Sequence, residues 1–339
     1  MKPGARVGGH VVVTQAFVEE LQTVVDDARV RRIADRIGRP VRVAVSGREG
    51  VGRGHVATAL RRRGVAVSDS DDGDVCVLVV AEALKDEDLE MLRTARRPTL
   101  IVLTKADLAG TGAGGPLAVA RGRADGIHRQ VGIPAVCAVG LLAALEPADL
   151  DDALVAALRH FVTEPPNLTS VDAFVDDHHP VERDVRIRLL ARLDRFGIAH
   201  AVLALADGCD PERLSAHLAG VGNVGEVMSA LDAVAAPVRY RRLRGAIVEL
   251  HCLGDELDAL SELLVSDVTA MATMTAAVDV VTAAGLTVDG GDTAAAHLDR
   301  ALAWRNYGRG PVDALHRQCS ADIVRGSLRL LDGVRKQRT

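Results

Sequence analysis

The pattern of apolar residues changes once along this chain, near Val139, and that change limits the fold more than any other feature. Before it, short apolar runs alternate with helical stretches. Val41–Ser46, Val65–Val67, Val75–Val80, Thr99–Leu103 and Pro134–Val139 read as strands. His55–Arg63, Asp86–Arg96 and a segment ending at Val131 read as helices. Strands apolar on both faces, alternating with helices, predict a parallel sheet covered by helices. After Val139 the strand signals stop. Pro165-Pro166-Asn167 and the acidic, histidine-containing stretch to Pro180 read as a linker. From Val181 onward apolar residues recur at helical spacing, as in Val185, Leu189, Leu190, Leu193 and Phe196. Further helices are expected over Val238–His251, Asp255–Leu264, Val268–Ala284, Thr293–Arg305 and Val312–Val334.

Thr14–Ile37 is also helical in spacing and is expected to pack against the helical half. The expected organisation is thus α/β plus all-α. Residues 1–39 hold the N-terminal helix, 40–164 a compact P-loop-type parallel-sheet domain, 165–180 a linker, and 181–339 a helical, stalk-like domain. A length of 339 residues suits one large or two modest domains.

Composition narrows the class. Hydrophobic residues make up 48%, which excludes wholesale disorder. Aromatics are only 2%, so Ala, Val and Leu must fill the core. A net charge of −5 gives no global attraction to nucleic acid, and none is expected as a partner. The five cysteines, Cys76, Cys137, Cys209, Cys252 and Cys319, lack CxxC spacing and read as small buried side chains in a reducing compartment. The most apolar long stretch, Val265–Leu286, carries Asp267 and Asp279, which argues against a membrane span. The apolar run Val11–Val13 after Lys2 and Arg6 is too short for a signal peptide, so a cytoplasmic location is expected.

The chemistry concentrates at Gly47-Arg48-Glu49-Gly50-Val51-Gly52-Arg53-Gly54, between a strand and a helix. A P-loop reads GxxxxGK[ST] in that context, and its backbone N–H groups and helix N-terminus hold phosphate. Gly47 and Gly52 are the framing glycines. Arg53 stands at the lysine position and Gly54 at the Ser/Thr position. Arg53 keeps a positive charge but not a compact ammonium. Gly54 supplies no hydroxyl for Mg²⁺. Backbone cradling of phosphate survives these changes, whereas metal-assisted hydrolysis loses a ligand. The bland alternative is a plain glycine-rich βα turn.

A second signal follows the Thr99–Leu103 strand: Thr104-Lys105-Ala106-Asp107 matches the [NT]KxD motif of GTP-binding proteins. A carboxylate there accepts two hydrogen bonds from the guanine edge, and the lysine stem packs on the base. The alternative is an Asp107 helix cap beside a solvated Lys105. A third segment, Pro134–Leu141, carries Gly140-Leu141 where a GTPase strand usually ends in Ser-Ala.

On these motifs the chain resembles the P-loop GTPases, specifically the dynamin-like GTPases of actinobacteria. Phe196–Ala199, Leu214, Gly222–Leu231 and Arg239–Leu250 are similar to that family's helical stalk. The resemblance implies that Gly47, Gly50, Val51, Gly52, Arg53 and Gly54 line the phosphates of GTP or GDP, and that Thr104, Lys105 and Asp107 bind guanine. It also implies a protein partner, either a second copy or an intact GTPase relative. The switch regions are absent. Only Arg61–Asp74 separates the turn's helix from the Val75–Val80 strand, and Ser70-Asp71-Asp72-Gly73 lacks the leading Asp of DxxG. Without loops ordered by γ-phosphate and Mg²⁺, a nucleotide switch has no lever. The chain therefore reads as a degenerate member that binds or scaffolds rather than turns over, with no catalytic residue assigned. Two alternatives stay open: an active Mg²⁺-dependent GTPase using Arg53, and a nucleotide-free interaction protein.

Three weaker features remain. Asp69, Asp71, Asp72 and Asp74 read as a solvated loop or a metal site. Asp176, Asp177, His178 and His179 read as a linker face or a metal site. Arg239, Arg241, Arg242 and Arg244 read as a solvated helix face or a peripheral contact with acidic lipid at the inner face of the membrane.

Overall fold

The computed structural model describes residues 9–254 and 257–336. Lys2, Arg6, the helix start expected at Asp255, and Gln337 and Arg338 lie outside the described residues. The fold is mixed α/β: a five-stranded parallel sheet and 15 α-helices among the described residues. The strands are β1 (Arg42–Ser46), β2 (Ala66–Ser68), β3 (Val75–Ala81), β4 (Thr99–Thr104) and β5 (Ala135–Cys137), in the order β2-β1-β3-β4-β5. All four neighbouring pairs are parallel; Val43 sits opposite both Val67 and Val75, and Leu78 opposite Ile101. No helix is long and apolar enough by itself to cross a membrane among the described residues.

The chain divides into two compact units, Arg42–Leu231 and Met1–Val41 with Asp232–Thr339. The sheet unit extends well past the expected boundary. Leu78, Val80, Ile101 and Leu103 share one core with Leu154, Leu158, Phe161, Phe174, Leu189, Leu193 and Ile198. The expected linker 165–180 is part of that unit. Ser170 caps the helix Val171–Asp176, and Phe174 and Val175 are buried. Buried Arg186 donates to Phe174 O at 2.7 Å and Asp177 O at 2.9 Å, closing the segment onto the helix Arg183–Ala206. Prolines and acids at the segment's ends hid two buried apolar residues at its centre.

The second unit contains only helices. Its core joins Phe17, Leu21 and Ile33 to Tyr240, Leu250, Ala276, Val280, Trp304 and Ile323. The Thr14–Ile37 stretch forms two helices, Gly9–Val24 and Ala28–Gly38, because the Asp27 carboxylate caps the second by accepting the Arg29 N–H at 2.6 Å. Val224–Gly254 is one helix running through Pro237. The boundary between units, Leu231/Asp232, falls inside it.

Two features of the sheet bear on function. β4 is buried at all six positions, as its unbroken apolar run requires. The connection from β2 to β3 is only residues 69–74, whereas parallel crossovers usually take a dozen residues and a helix. It passes over β1 so closely that a Cβ on Gly73 would lie 2.4 Å from Ala44 N.

Candidate functional site

In an open parallel sheet of this order, ligands bind beyond the carboxyl ends of the strands where the winding direction reverses. Here β1 leads out to β2 on one side, and β3 leads to β4 on the other, so the reversal lies between β1 and β3. Gly47–Gly54 leaves β1 at that point. A Cβ on Gly47 (φ 138°) would lie 2.3 Å from Val79 O, so the turn presses against β3 where only glycine fits. Gly50 (φ 76°) and Gly52 (φ 89°) are left-handed, and Val51 between them is not. Backbone that alternates in hand turns its N–H groups to one side, as an anion-binding nest does.

The helix Arg53–Arg62 begins on Gly52 without a side-chain cap. The N–H groups of His55 and Val56 both donate to Gly52 O, at 3.1 and 3.3 Å. Those of Arg53 and Gly54 have no acceptor among the described residues. Arg53 is exposed and ion-paired to no described residue. Nothing lies within 4 Å of a Cβ built on Gly54. The turn thus offers open donors, the positive end of a helix and one cation, which together fit phosphate.

The Thr104–Asp107 segment lies at the same edge. Buried Thr104, at the end of β4, donates to Val51 O in the turn and, at 3.0 Å, to Val80 O on β3. The Thr104 hydroxyl thus ties the Thr104–Asp107 segment to the turn. Lys105 is exposed and left-handed (φ 56°). Asp107 is half-buried. Burial pushes its carboxyl above the usual range, the nearby Asp194 charge adds to this, and its own N–H and Lys105 oppose it. Ala106 N–H donates to Ala138 O at 3.4 Å, joining the motif to the chain leaving β5. Beyond β5, Val139 N–H is taken by Gly222 O at 3.2 Å, and Gly140 is buried at the start of the short helix Gly140–Ala143.

The four non-glycine residues with positive φ among the described residues are Glu82, Lys105, Asp194 and Asn223. Glu82 follows β3 and Lys105 follows β4. Asn223 donates to Cys137 O at the end of β5 at 2.8 Å. Asp194 (φ 55°, ψ 175°) interrupts the helix Arg183–Ala206 beside Asp107. Such conformations cost about 1–3 kcal/mol each and collect at functional sites. All four lie on or beside the carboxyl edge of the sheet.

Two contributors escaped sequence reasoning. Asp88, wholly buried, accepts from Arg48 Nε at 3.0 Å and from Lys85 N–H at 3.0 Å. Asp88 accepts the N–H of Lys85 at the start of the helix Asp86–Thr94, but nothing local points to Arg48 forty residues earlier. Asp194 carried no signal, since a helical stripe continues across it.

The weaker features resolve differently. The acidic loop serves the opposite end of β1. Asp74 accepts Arg42 N–H at 2.8 Å, Asp72 accepts from Ser68 and pairs with Arg42 at 3.2 Å, and Asp69 pairs with Arg61 at 2.8 Å. Both ring nitrogens of His179 face backbone: Nδ1 accepts Val181 N–H and Nε2 donates to Glu164 O. Asp176 pairs with Arg183, and Asp177 accepts from Asn167. Among the described residues no group of three or more His, Cys, Asp or Glu could hold a metal. A surface hollow of about 220 Å³ lies beside His160, Pro180 and Val185, and none of the turn or guanine-motif residues line it.

The arginine cluster does not form one basic face. Arg239 pairs with Asp232 at 2.9 Å, Arg242 donates to Arg39 O, and Arg244 pairs with buried Asp322 at 3.4 Å. The cysteines are all free, but only Cys137 and Cys319 are buried; Cys252 is exposed.

No family model matches the chain. No curated protein matches it either.

Proposed function

We propose that this chain is a degenerate guanine-nucleotide-binding protein of the dynamin-like kind, acting by binding and assembly rather than turnover. One observation carries the reading: Thr104 bonds at once to the turn and to β3, so that the phosphate cradle and Lys105–Asp107 belong to one edge. Gly50–Gly54 takes the phosphates through open backbone donors and Arg53. Asp107 and Lys105 read the base. GTP or GDP supplies the phosphate charge and the guanine donors; the chain's part is to hold and select them.

The fit to Mg²⁺ is poor on the residues present. Gly54 has no hydroxyl, and the carboxylates of the acidic loop serve the far end of β1. Calorimetric titration with GTP, GDP and ATP, with and without Mg²⁺, tests this. Guanine-selective binding that ignores Mg²⁺ is expected, and equal affinity for ATP would sink it. Assembly is tested separately by light scattering after size exclusion, alone and mixed with an intact dynamin-like GTPase. A monomer under both conditions would remove the assembly role.

A nucleotide-free scaffold is the second reading, and one observation favours it. Burial and the Asp194 charge disfavour the ionised form of Asp107, the form that a guanine needs. Absence of binding to any nucleotide would select it.

A further inference from the structure

The turn is held at three places before any ligand arrives. Gly47 is wedged against Val79 O. Val51 O is held by Thr104. Between them Arg48 is drawn to Asp88, at the start of the helix Asp86–Thr94 that follows β3. Asp88 is 0% exposed, with one carboxylate oxygen on Arg48 Nε and the other on Lys85 N–H. The Asp88 hydrogen bond raises the Arg48 guanidinium's affinity for its proton, with desolvation opposing it. Arg48 is thereby neutralised within the fold, while Arg53 is left free at the rim. A buried charge that served only the core would be better replaced by an apolar side chain. This one gives one carboxylate oxygen to its own helix start, at Lys85 N–H, and the other to the second residue of an exposed turn.

We propose that Asp88 is the positioning residue of the Gly47–Gly54 turn, fixing through Arg48 the backbone shape that receives phosphate. The inference rests on the phosphate-binding reading above. Glu49 and Gly50 lie between the held residues and are exposed, with nothing within 4 Å of a Cβ on Gly50. Only the anchors on either side define their path. Holding the path in advance removes an ordering cost from binding, and a site left loose by its supporting residues binds poorly even when its contact groups are present.

The test uses the full chain in four forms: wild type, Asp88→Asn, Arg48→Lys, and the double variant Arg48→Met with Asp88→Leu. Hydrogen exchange is read at His55 and Val56, whose amides donate to Gly52 O in the turn. GDP affinity and thermal stability are read beside it. Asp88→Asn is expected to speed exchange at those two amides roughly tenfold, without changing β3 or β4, and to weaken GDP by about tenfold. The double variant is expected to regain wild-type thermal stability, since removing both partners of a buried pair is tolerated, yet to stay weak for GDP.

Unchanged exchange at His55 and Val56 would overturn the proposal. So would a double variant in which GDP affinity returns together with stability, because the pair would then be structural only. If Asp88→Asn does not fold, Arg48→Lys decides. It keeps the charge opposite Asp88 but not the guanidinium geometry, and about threefold faster exchange is expected. If wild type binds no nucleotide, the phosphate reading fails, and the exchange result alone decides whether Asp88 positions the turn.

Discussion

Two loops at opposite ends of β1 share a glycine-and-charge composition and do opposite things. At its carboxyl end Gly47–Gly54 keeps backbone donors and a cation open. At its amino end the crossover 69–74 turns its carboxylates onto Arg42, Arg61 and the hydroxyls of Ser68 and Ser70. Both need a glycine against backbone: Gly47 against Val79 O and Gly73 against Ala44 N. Charge in a loop therefore says little about function until its partners are known. Unspent hydrogen-bonding groups say more, and here they lie at the end where the sheet topology places ligands.

The largest effects should come from the two wedged glycines, where the loops behave alike. Gly47→Ala and Gly73→Ala each push a methyl against a backbone atom that cannot retreat without disturbing the sheet. Overpacking of this kind costs on the order of 3 kcal/mol. Gly47→Ala should be the worse, because φ 138° adds strain. Urea denaturation of both variants reads the result, and a loss below roughly 1 kcal/mol at either site would mean the close approach relaxes.

Next comes the step at which the loops part. Arg53→Ala should weaken GDP about tenfold, the ordinary contribution of one partly exposed cation near phosphate, and should leave the unfolding midpoint unchanged. Arg42→Ala should do the reverse: GDP affinity holds, and stability falls slightly as Asp72 loses one of its three partners. If both variants change the same property, the functional contrast between the two ends of β1 is wrong.

The carboxylates should separate by pH with opposite slopes. Hydrogen bonds from Ser70 and Ser68, aided by Arg42, hold Asp72 down at about 2, below the ordinary 3.8. A depressed group stabilises the fold above its unfolded value, and that contribution is lost as pH falls through about 2. Asp107 is raised, first by burial. The folded chain then holds that proton more tightly than the unfolded chain, so stability is lost as pH rises through the folded value. Asp72→Asn should therefore unfold at less acidic pH than wild type. Asp107→Asn should be slightly more stable at pH 7 while losing its preference for GDP over ADP. An Asp107→Asn protein less stable than wild type at pH 7 would contradict the sign.

How much of this could be read from residues depends on the distance over which each feature is set. The strands were legible because β3 and β4 are buried on both faces and so read as unbroken apolar runs. The turn was legible because its four glycines, Gly47, Gly50, Gly52 and Gly54, fall within eight residues of sequence. Features set by tertiary partners were not. Arg48 and Asp88 meet across forty residues, and the Thr104 hydroxyl meets Val51 O across fifty-three. Helix boundaries misled twice in opposite senses. The helix expected over Val238–His251 is part of one continuous helix, Val224–Gly254, and a helical stripe concealed the Asp27 cap that divides the N-terminal stretch. Beyond Pro237 the long helix is anchored in the core of its unit by Tyr240, Leu243, Ala246, Ile247 and Leu250, with Arg242 tied to Arg39 O.

The smallest effect tests whether the open loop lacks only a metal ligand. Gly54 lies in the first turn of the helix Arg53–Arg62, outside the left-handed region, with open space around a Cβ. Gly54→Ser should therefore fold normally and gain about 0.5 kcal/mol from helix propensity alone. Its hydroxyl would stand where a P-loop supplies its Mg²⁺ ligand. If Gly54 alone removed the metal, GDP binding by the variant should strengthen a few-fold when Mg²⁺ is added, while wild type stays indifferent. A Gly54→Ser protein still indifferent to Mg²⁺ would point to the crossover: its six residues, 69–74, turn their carboxylates onto Arg42, Arg61, Ser68 and Ser70 at the amino end of β1, away from the turn. Indifference to the metal would then rest on the short crossover at one end of β1 as much as on Gly54 at the other.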